Sequence, residues 1–184
     1  MSIGEKKRKT RSDKKISIAP FIADRERVWI HRIGRYMELP EGEIGFRLLQ
    51  SSIQNERCID FFAAYFRRPY QFSERVIFPG RRHADNVEEY IQIDENQNRS
   101  RFKIKVSQDF HLALSEFQIA LGTPYLARGT YAMLKYSLVE MDIIQNVAPG
   151  IQKNHIYGPV KTASQLNMSQ VSSKAYSVLK SRRN

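Results

Sequence analysis

The run Arg101-Phe-Lys-Ile-Lys-Val106 carries the clearest chemical purpose in the chain. In an extended strand, successive side chains point to opposite faces. Phe102, Ile104 and Val106 then share one face, and Arg101, Lys103 and Lys105 share the other. The apolar face needs a core, and the cationic face needs an anion. Two such strands paired as a ribbon fit the major groove of DNA, where Arg and Lys donate to guanine O6 and N7. Arg101, Lys103 and Lys105 are therefore the candidate base-reading residues. The plainer alternative is an exposed edge strand that its charges guard against aggregation.

Catalytic groupings are absent from the sequence. His31, His83, His111 and His155 are scattered, Cys58 stands alone, and no spacing resembles a zinc site or a phosphate-cradling glycine loop. No enzyme activity, cofactor or metal is expected. Glu88-Glu89 and Asp94-Glu95 read as a solvated face, and Cys58 as a small core residue.

The elements after the strand must hold it in place. Ser107 can cap a helix, and Phe110, Ala113, Leu114, Phe117 and Leu121 follow at helical spacing. Gly122 suits a left-handed helix end, Thr123 an N-cap, and Pro124 the first position of a second helix. Free N–H groups and the positive dipole end at that start attract phosphate. Thr123, Tyr125 and Arg128 are thus the candidate phosphate contacts. Leu126, Met133, Leu134, Leu138 and Met141 form the apolar side of the second helix and its continuation.

An offset of 84 residues brings the first part of the chain onto this module. Ile18, Pro20 and Ile22 fall on Phe102, Ile104 and Val106. Val28, Ile30, Ile33 and Met37 fall on Leu112, Leu114, Phe117 and Leu121, Pro40 on Pro124, and Gly45 on Gly129. Where the second module has Arg101, Lys103 and Lys105, the first has Ser17, Ala19 and Phe21. If the repeat is real, the first copy has kept the fold and lost the cationic face. The two modules can pair inside one chain as a lopsided ribbon. Alternatively, the second module can pair with its own copy in a homodimer, which puts the cationic strand on both sides and is the arrangement expected here.

The pattern of strand, helix, Gly-x-Pro and helix over residues 101–145 resembles the ribbon-helix-helix regulators of bacteria and plasmids. That resemblance implies an α+β fold, mostly helical with short strands, in which a dimeric two-stranded ribbon enters the major groove. It implies base reading by Arg101, Lys103 and Lys105, phosphate contacts at the start of the second helix, and a dimer core of Leu126, Met133, Leu134, Leu138 and Met141. A long basic chain with this module in its C-terminal half is also similar to the AcaB type of transcriptional activator of conjugative IncC plasmids. The tandem-module relaxosome proteins of the TraY type share the arrangement. The resemblance implies a regulator of conjugative-transfer genes, with an activator favoured, or an accessory protein bound near a transfer origin.

Composition agrees with an anionic partner. The 184 residues carry a formal net charge of +11, and the pI is near 9.9. A hydrophobic content of 41% supports a packed core rather than global disorder. No apolar run approaches the roughly 20 residues that cross a bilayer, and the N-terminus lacks a signal-peptide core. A cytoplasmic, nucleoid-associated bacterial protein is expected. An RNA-binding or membrane-surface role for the same charge is the alternative of another class.

Five segments follow from these patterns. Residues 1–15 form a basic tail, in which seven positive residues against two negative leave +5. Lys6, Lys7, Arg8 and Lys9 lie there, either as phosphate contacts along DNA or simply as solubilising charge. Residues 16–66 form a strand-helix-helix module, with its second helix expected over 41–66. Residues 67–100 connect, with a strand near Ser73–Phe78 and a solvated linker at 94–100. The ribbon module spans 101–145, and 146–184 is a polar tail with a weak amphipathic helix near 170–179 and a basic end at Lys180, Arg182 and Arg183. Double-stranded DNA, a second copy of the chain and RNA polymerase are the expected partners.

Overall fold

The computed structural model describes residues 15–92 and 97–159. The first half contains β1 (Ile16–Ile18), β2 (Phe21–Ala23), α1 (Asp24–Met37), α2 (Glu41–Ile53) and α3 (Glu56–Phe62). A connecting stretch holds a small hairpin, β3 (Tyr70–Gln71) with β4 (Ile77–Phe78), and one helical turn, α4 (Val87–Tyr90). The second half contains β5 (Arg99–Arg101), β6 (Ile104–Val106), α5 (Gln108–Leu121), α6 (Leu126–Ser137) and α7 (Met141–Val147). A separate short helix, α8, covers Lys153–Tyr157. The fold is α+β, with short antiparallel strand pairs. Lys6–Lys9 and the C-terminal helix expected near 170–179 lie outside the described residues.

The two halves meet as one antiparallel ribbon. Ile16, Ser17 and Ile18 pair with Val106, Lys105 and Ile104, and Phe21, Ile22 and Ala23 pair with Arg101, Ser100 and Arg99. Between these two ladders Pro20 has no N–H to give, but its carbonyl accepts from Phe102 N at 2.9 Å. Ile18, Pro20, Ile22, Phe102, Ile104 and Val106 are all buried beneath the ribbon. The edge of the cationic strand that was expected to receive a second copy is thus occupied by the chain's own N-terminal strand. Hydrogen bonding is the same in either arrangement, and a covalently attached partner needs no second molecule.

The repeat is regular in its backbone. Helices α1 and α5 start 84 residues apart (24 and 108) and end 84 apart (37 and 121). Each is followed by a left-handed residue, Glu38 at φ 55° and Gly122 at φ 68°. Ser107 caps α5 as expected, accepting from Phe110 N at 3.3 Å. Helix α6, however, begins at Leu126 with Tyr125 at its N-cap, not at Pro124 with Thr123 at the cap. Thr123 is buried instead, its hydroxyl 3.5 Å from the Tyr125 carbonyl.

Three further expectations change. The helix expected over 41–66 is broken into α2 and α3, because Asn55 ends one and caps the next, accepting from Cys58 N at 3.1 Å. The linker expected at 94–100 already contains β5. The connecting stretch is also docked: Arg67 N and Arg68 N both donate to the Ala120 carbonyl, and Phe62, Phe66 and Tyr70 meet the Phe117 ring edge-on. Val28 stays 41% exposed, while Ile30 and Ile33 are buried.

The core lies between the halves. Helix α2 packs against α6 and α7. Ile44, Leu48 and Leu49 are buried there, as are Met133, Leu134 and Leu138 of the residues expected to form a dimer core, while Leu126 and Met141 are only half-buried. Burial also pushes the Cys58 thiol up and keeps it unreactive.

Two contacts test this packing. A methyl group on Gly45 would sit 2.6 Å from the Phe102 ring, whereas one on the repeat-related Gly129 would sit 3.3 Å from Gln118 Cβ. Helix propensity favours Ala by about 1 kcal/mol at both sites, and overpacking costs about 1–3 kcal/mol. Gly45→Ala is therefore expected to destabilise in denaturant melts and Gly129→Ala to do so much less. Equal effects would refute the close approach of α2 to the ribbon.

The second contact is the buried Glu26, whose Oε1 accepts from Tyr131 Oη and Oε2 from Ala23 N, both at 3.2 Å. Desolvation raises its pKa, against the lowering effect of the Tyr131 and Ala23 hydrogen bonds. The folded state then holds its proton more tightly than the unfolded chain, so stability falls as pH rises from the usual carboxyl range through the raised value. Glu26→Gln is expected to flatten that fall, with its amide donating to Tyr131 Oη. Tyr131→Phe leaves a buried acceptor unpaired, at a cost of about 1–3 kcal/mol. Melts from pH 4 to 8 check both, and an unchanged slope in Glu26→Gln would assign the pH dependence elsewhere.

Candidate nucleic-acid interface

Strand alternation decides which side chains the ribbon turns outward. With Phe102, Ile104 and Val106 beneath, Arg101, Lys103 and Lys105 stand exposed above. The structure brings these three predicted residues onto one face and adds Arg99, also exposed. Arg99 was missed because its segment read as linker, although it continues the alternation two residues earlier. Four cations thus recur every second residue, about 6.8 Å apart. None of the four is ion-paired to a carboxylate among the described residues. No carboxylate of the described residues therefore neutralises this face.

The opposing strand has a different chemistry. Ser17 faces Lys105, and Phe21 faces Arg101 with the guanidinium 5.6 Å from the ring centroid. Phe21 is 52% exposed, an unusual position for a phenylalanine with no core to fill. Arg27 reaches the ribbon from α1 and donates to Ser100 Oγ at 3.0 Å, which steadies β5 from the side.

The two repeat-related helix starts also differ. The first turn of α2 contains Glu41 and Glu43. Glu41 is held by His31 Nδ1 at 2.9 Å and Arg27 Nε at 3.5 Å, and Glu43 by Arg47 Nε at 3.0 Å. The first turn of α6 has no acidic residue. Tyr125 is 64% exposed at its cap, and Arg128 sits over the Tyr125 ring while pairing with Glu88. Of the three residues expected to contact phosphate, Tyr125 is exposed at the cap, Arg128 is exposed but paired with Glu88, and the Thr123 side chain is buried.

Folding gathers one more cationic group. Arg67 and Arg68 lie against Gly80 and Arg81: a Cβ on Gly80 would sit 2.7 Å from the Arg68 backbone, and Arg81 N donates to the Phe66 carbonyl. The Arg67 stem packs at Gly122, where α5 turns toward α6. Arg67, Arg68, Arg81 and Arg82 are all exposed, so charge pairs 14 residues apart in sequence share one patch beside that turn.

No group of three or more metal-binding side chains occurs among the described residues, and none of their helices is long and apolar enough to cross a membrane. The arrangement offers a cationic strip, without a carboxylate partner among the described residues, backed by a buried apolar row. Comparison of the chain with family models, with curated proteins and with solved structures finds no match.

Proposed function

We propose that this protein is a sequence-specific double-stranded DNA-binding regulator of the ribbon-helix-helix kind, with both strands of its ribbon supplied by one chain. The observation that carries this reading is the outward row Arg99, Arg101, Lys103 and Lys105, unneutralised and backed by the buried row Phe102, Ile104 and Val106. A groove about 12 Å wide admits a two-stranded ribbon. Arg and Lys then donate to guanine O6 and N7 on one side. On the other side, Ala19 and Phe21 can meet thymine methyl groups, and Ser17 can bond either way. Tyr125, Arg128 and the start of α6 flank the cationic strand and can take the adjoining phosphates.

The expected target is directional rather than palindromic, because the two strands read differently and one chain completes the ribbon. In this reading the N-terminal half supplies the partner strand and its supports. The likeness of the strand-helix-helix pattern to plasmid regulators supports control of conjugative-transfer genes.

Selection of bound duplexes from a random pool at about 150 mM salt, near physiological ionic strength, tests the reading. A single directional motif with a guanine-bearing side is expected. Arg101→Ala or Lys103→Ala should cost about 1–3 kcal/mol of discrimination at one base pair. Replacement of Lys6–Lys9 should weaken all sequences alike. A two-fold symmetric motif bound by two chains would overturn the single-chain ribbon reading. Absence of any motif would leave the strand as a guarded edge and the charge to a nonspecific partner.

A further inference from the structure

Beside the outer face of the ribbon, between β2, β5, α4 and the start of α6, lies a cleft of about 600 Å³. Three demands converge in it. Arg99 and Arg101 line it with no carboxylate partner among the described residues, so it favours an anion. Phe21 and Tyr125 offer exposed ring faces, and both already attract guanidinium groups, so it favours a planar π system. Glu88 has one oxygen on Arg128, while its other oxygen, Oε1, is buried and has no hydrogen-bond partner. An unpaired buried acceptor is costly, so the site favours an N–H donor.

A simple phosphate meets only the first demand, and an aromatic acid lacks the donor. A nucleotide meets all three, and the volume is in the range of small-molecule sites. We propose that this cleft binds a purine nucleotide, with Arg99 and Arg101 on its phosphates, the base against Phe21 and Tyr125, and a base N–H or amine on Glu88 Oε1. The nucleotide is either free or part of a single strand, since the chemistry is the same. Arg101 serves both the cleft and the groove-reading face. Resting on the DNA-binding reading above, occupation of the cleft and of the operator exclude each other.

The test uses the full chain without DNA. GTP, ATP, inorganic tripolyphosphate and a six-residue oligo(dA) are titrated calorimetrically in the absence of metal. A purine nucleotide, free or in the oligonucleotide, is expected to bind at least tenfold more tightly than tripolyphosphate, and the better of the two identifies the source. Arg99→Ala, a change on an exposed strand position, should weaken binding tenfold or more. Glu88→Leu is the sharper variant. It removes both the negative charge and the acceptor and frees Arg128, so an anion held by charge alone would bind more tightly, whereas a base held at Oε1 would bind less tightly. No binding by any purine probe, parity with tripolyphosphate, or tightening in Glu88→Leu would overturn the proposal. Nucleotide binding in a protein that selects no duplex motif would keep the cleft and remove only its link to DNA.

Discussion

The fold depends on one pairing, that of residues 16–23 with 99–106. A two-stranded ribbon is marginal by itself, and here it is held by what each strand brings with it. Each strand is followed within a residue or two by a helix, so joining the strands sets α1 against one side and α5 against the other. Their successors α2 and α6 then meet beneath. The buried row under the ribbon and the helical core are therefore one hydrophobic unit. Closing a loop of some 80 residues costs only a logarithmic entropy term, whereas assembly from two molecules would depend on protein concentration. A chain that carries both strands can thus be fully folded when dilute.

Covalent linkage also releases a constraint. In a symmetric antiparallel pair each residue of the strand faces a residue of the same strand in the copy, so a face rich in Arg and Lys must meet like charge across the ribbon, which destabilises the pairing. Here Lys105 faces Ser17, and Arg101 faces Phe21, whose ring attracts the guanidinium. The cationic row can remain continuous because the opposite strand is neutral. The same divergence reaches the helix starts. Helix α2 carries carboxylates in its first turn, each engaged by a nearby cation, and α6 carries none. The outward row of cations that lacks a carboxylate partner among the described residues lies on the strand of the second half. On the proposed function, a duplex is drawn to one side of the ribbon, and steering by the field of the protein acquires a direction.

Much of this was legible in the sequence, and the parts that were not have physical reasons. Period-two alternation at 101–106 identified both faces of the strand, since burial of Phe102, Ile104 and Val106 leaves no other choice. The 84-residue offset located the paired helices because their apolar spacing and their stops recur. Which chain supplies the partner strand was not legible, because ladder hydrogen bonds are identical within and between chains. The break at Asn55 was hidden by the apolar residues on both sides of it, Ile53 and Ile59. The start of α6 was misread because Thr123-Pro124 satisfies local capping rules, yet Thr123 is buried at the α5–α6 turn and the helix starts after Tyr125. Arg99 was passed over for its neighbours, a polar run that reads as linker until the facing strand is known. Docking of 67–92 on the second half depends on long-range contacts such as Phe66 with Phe117, which no local pattern records.

The connecting stretch also explains why the ribbon and the cleft beside it behave as one surface. Glu88, on the single turn α4, reaches Arg128 on α6, while Lys135 Nζ on α6 donates to the Tyr90 carbonyl at 2.7 Å. These two contacts fix α4 against the helix whose start flanks the cationic strand. Tyr131, from the middle of the same helix, bonds Glu26 at the first turn of α1, just after β2. Helix α6 is thereby tied to the start of α1, just after β2, through Glu26, and to α4 through Glu88 and the Tyr90 carbonyl. On the proposed reading, the cleft and the reading row share Arg101, so a ligand in the one meets the other with no distant relay.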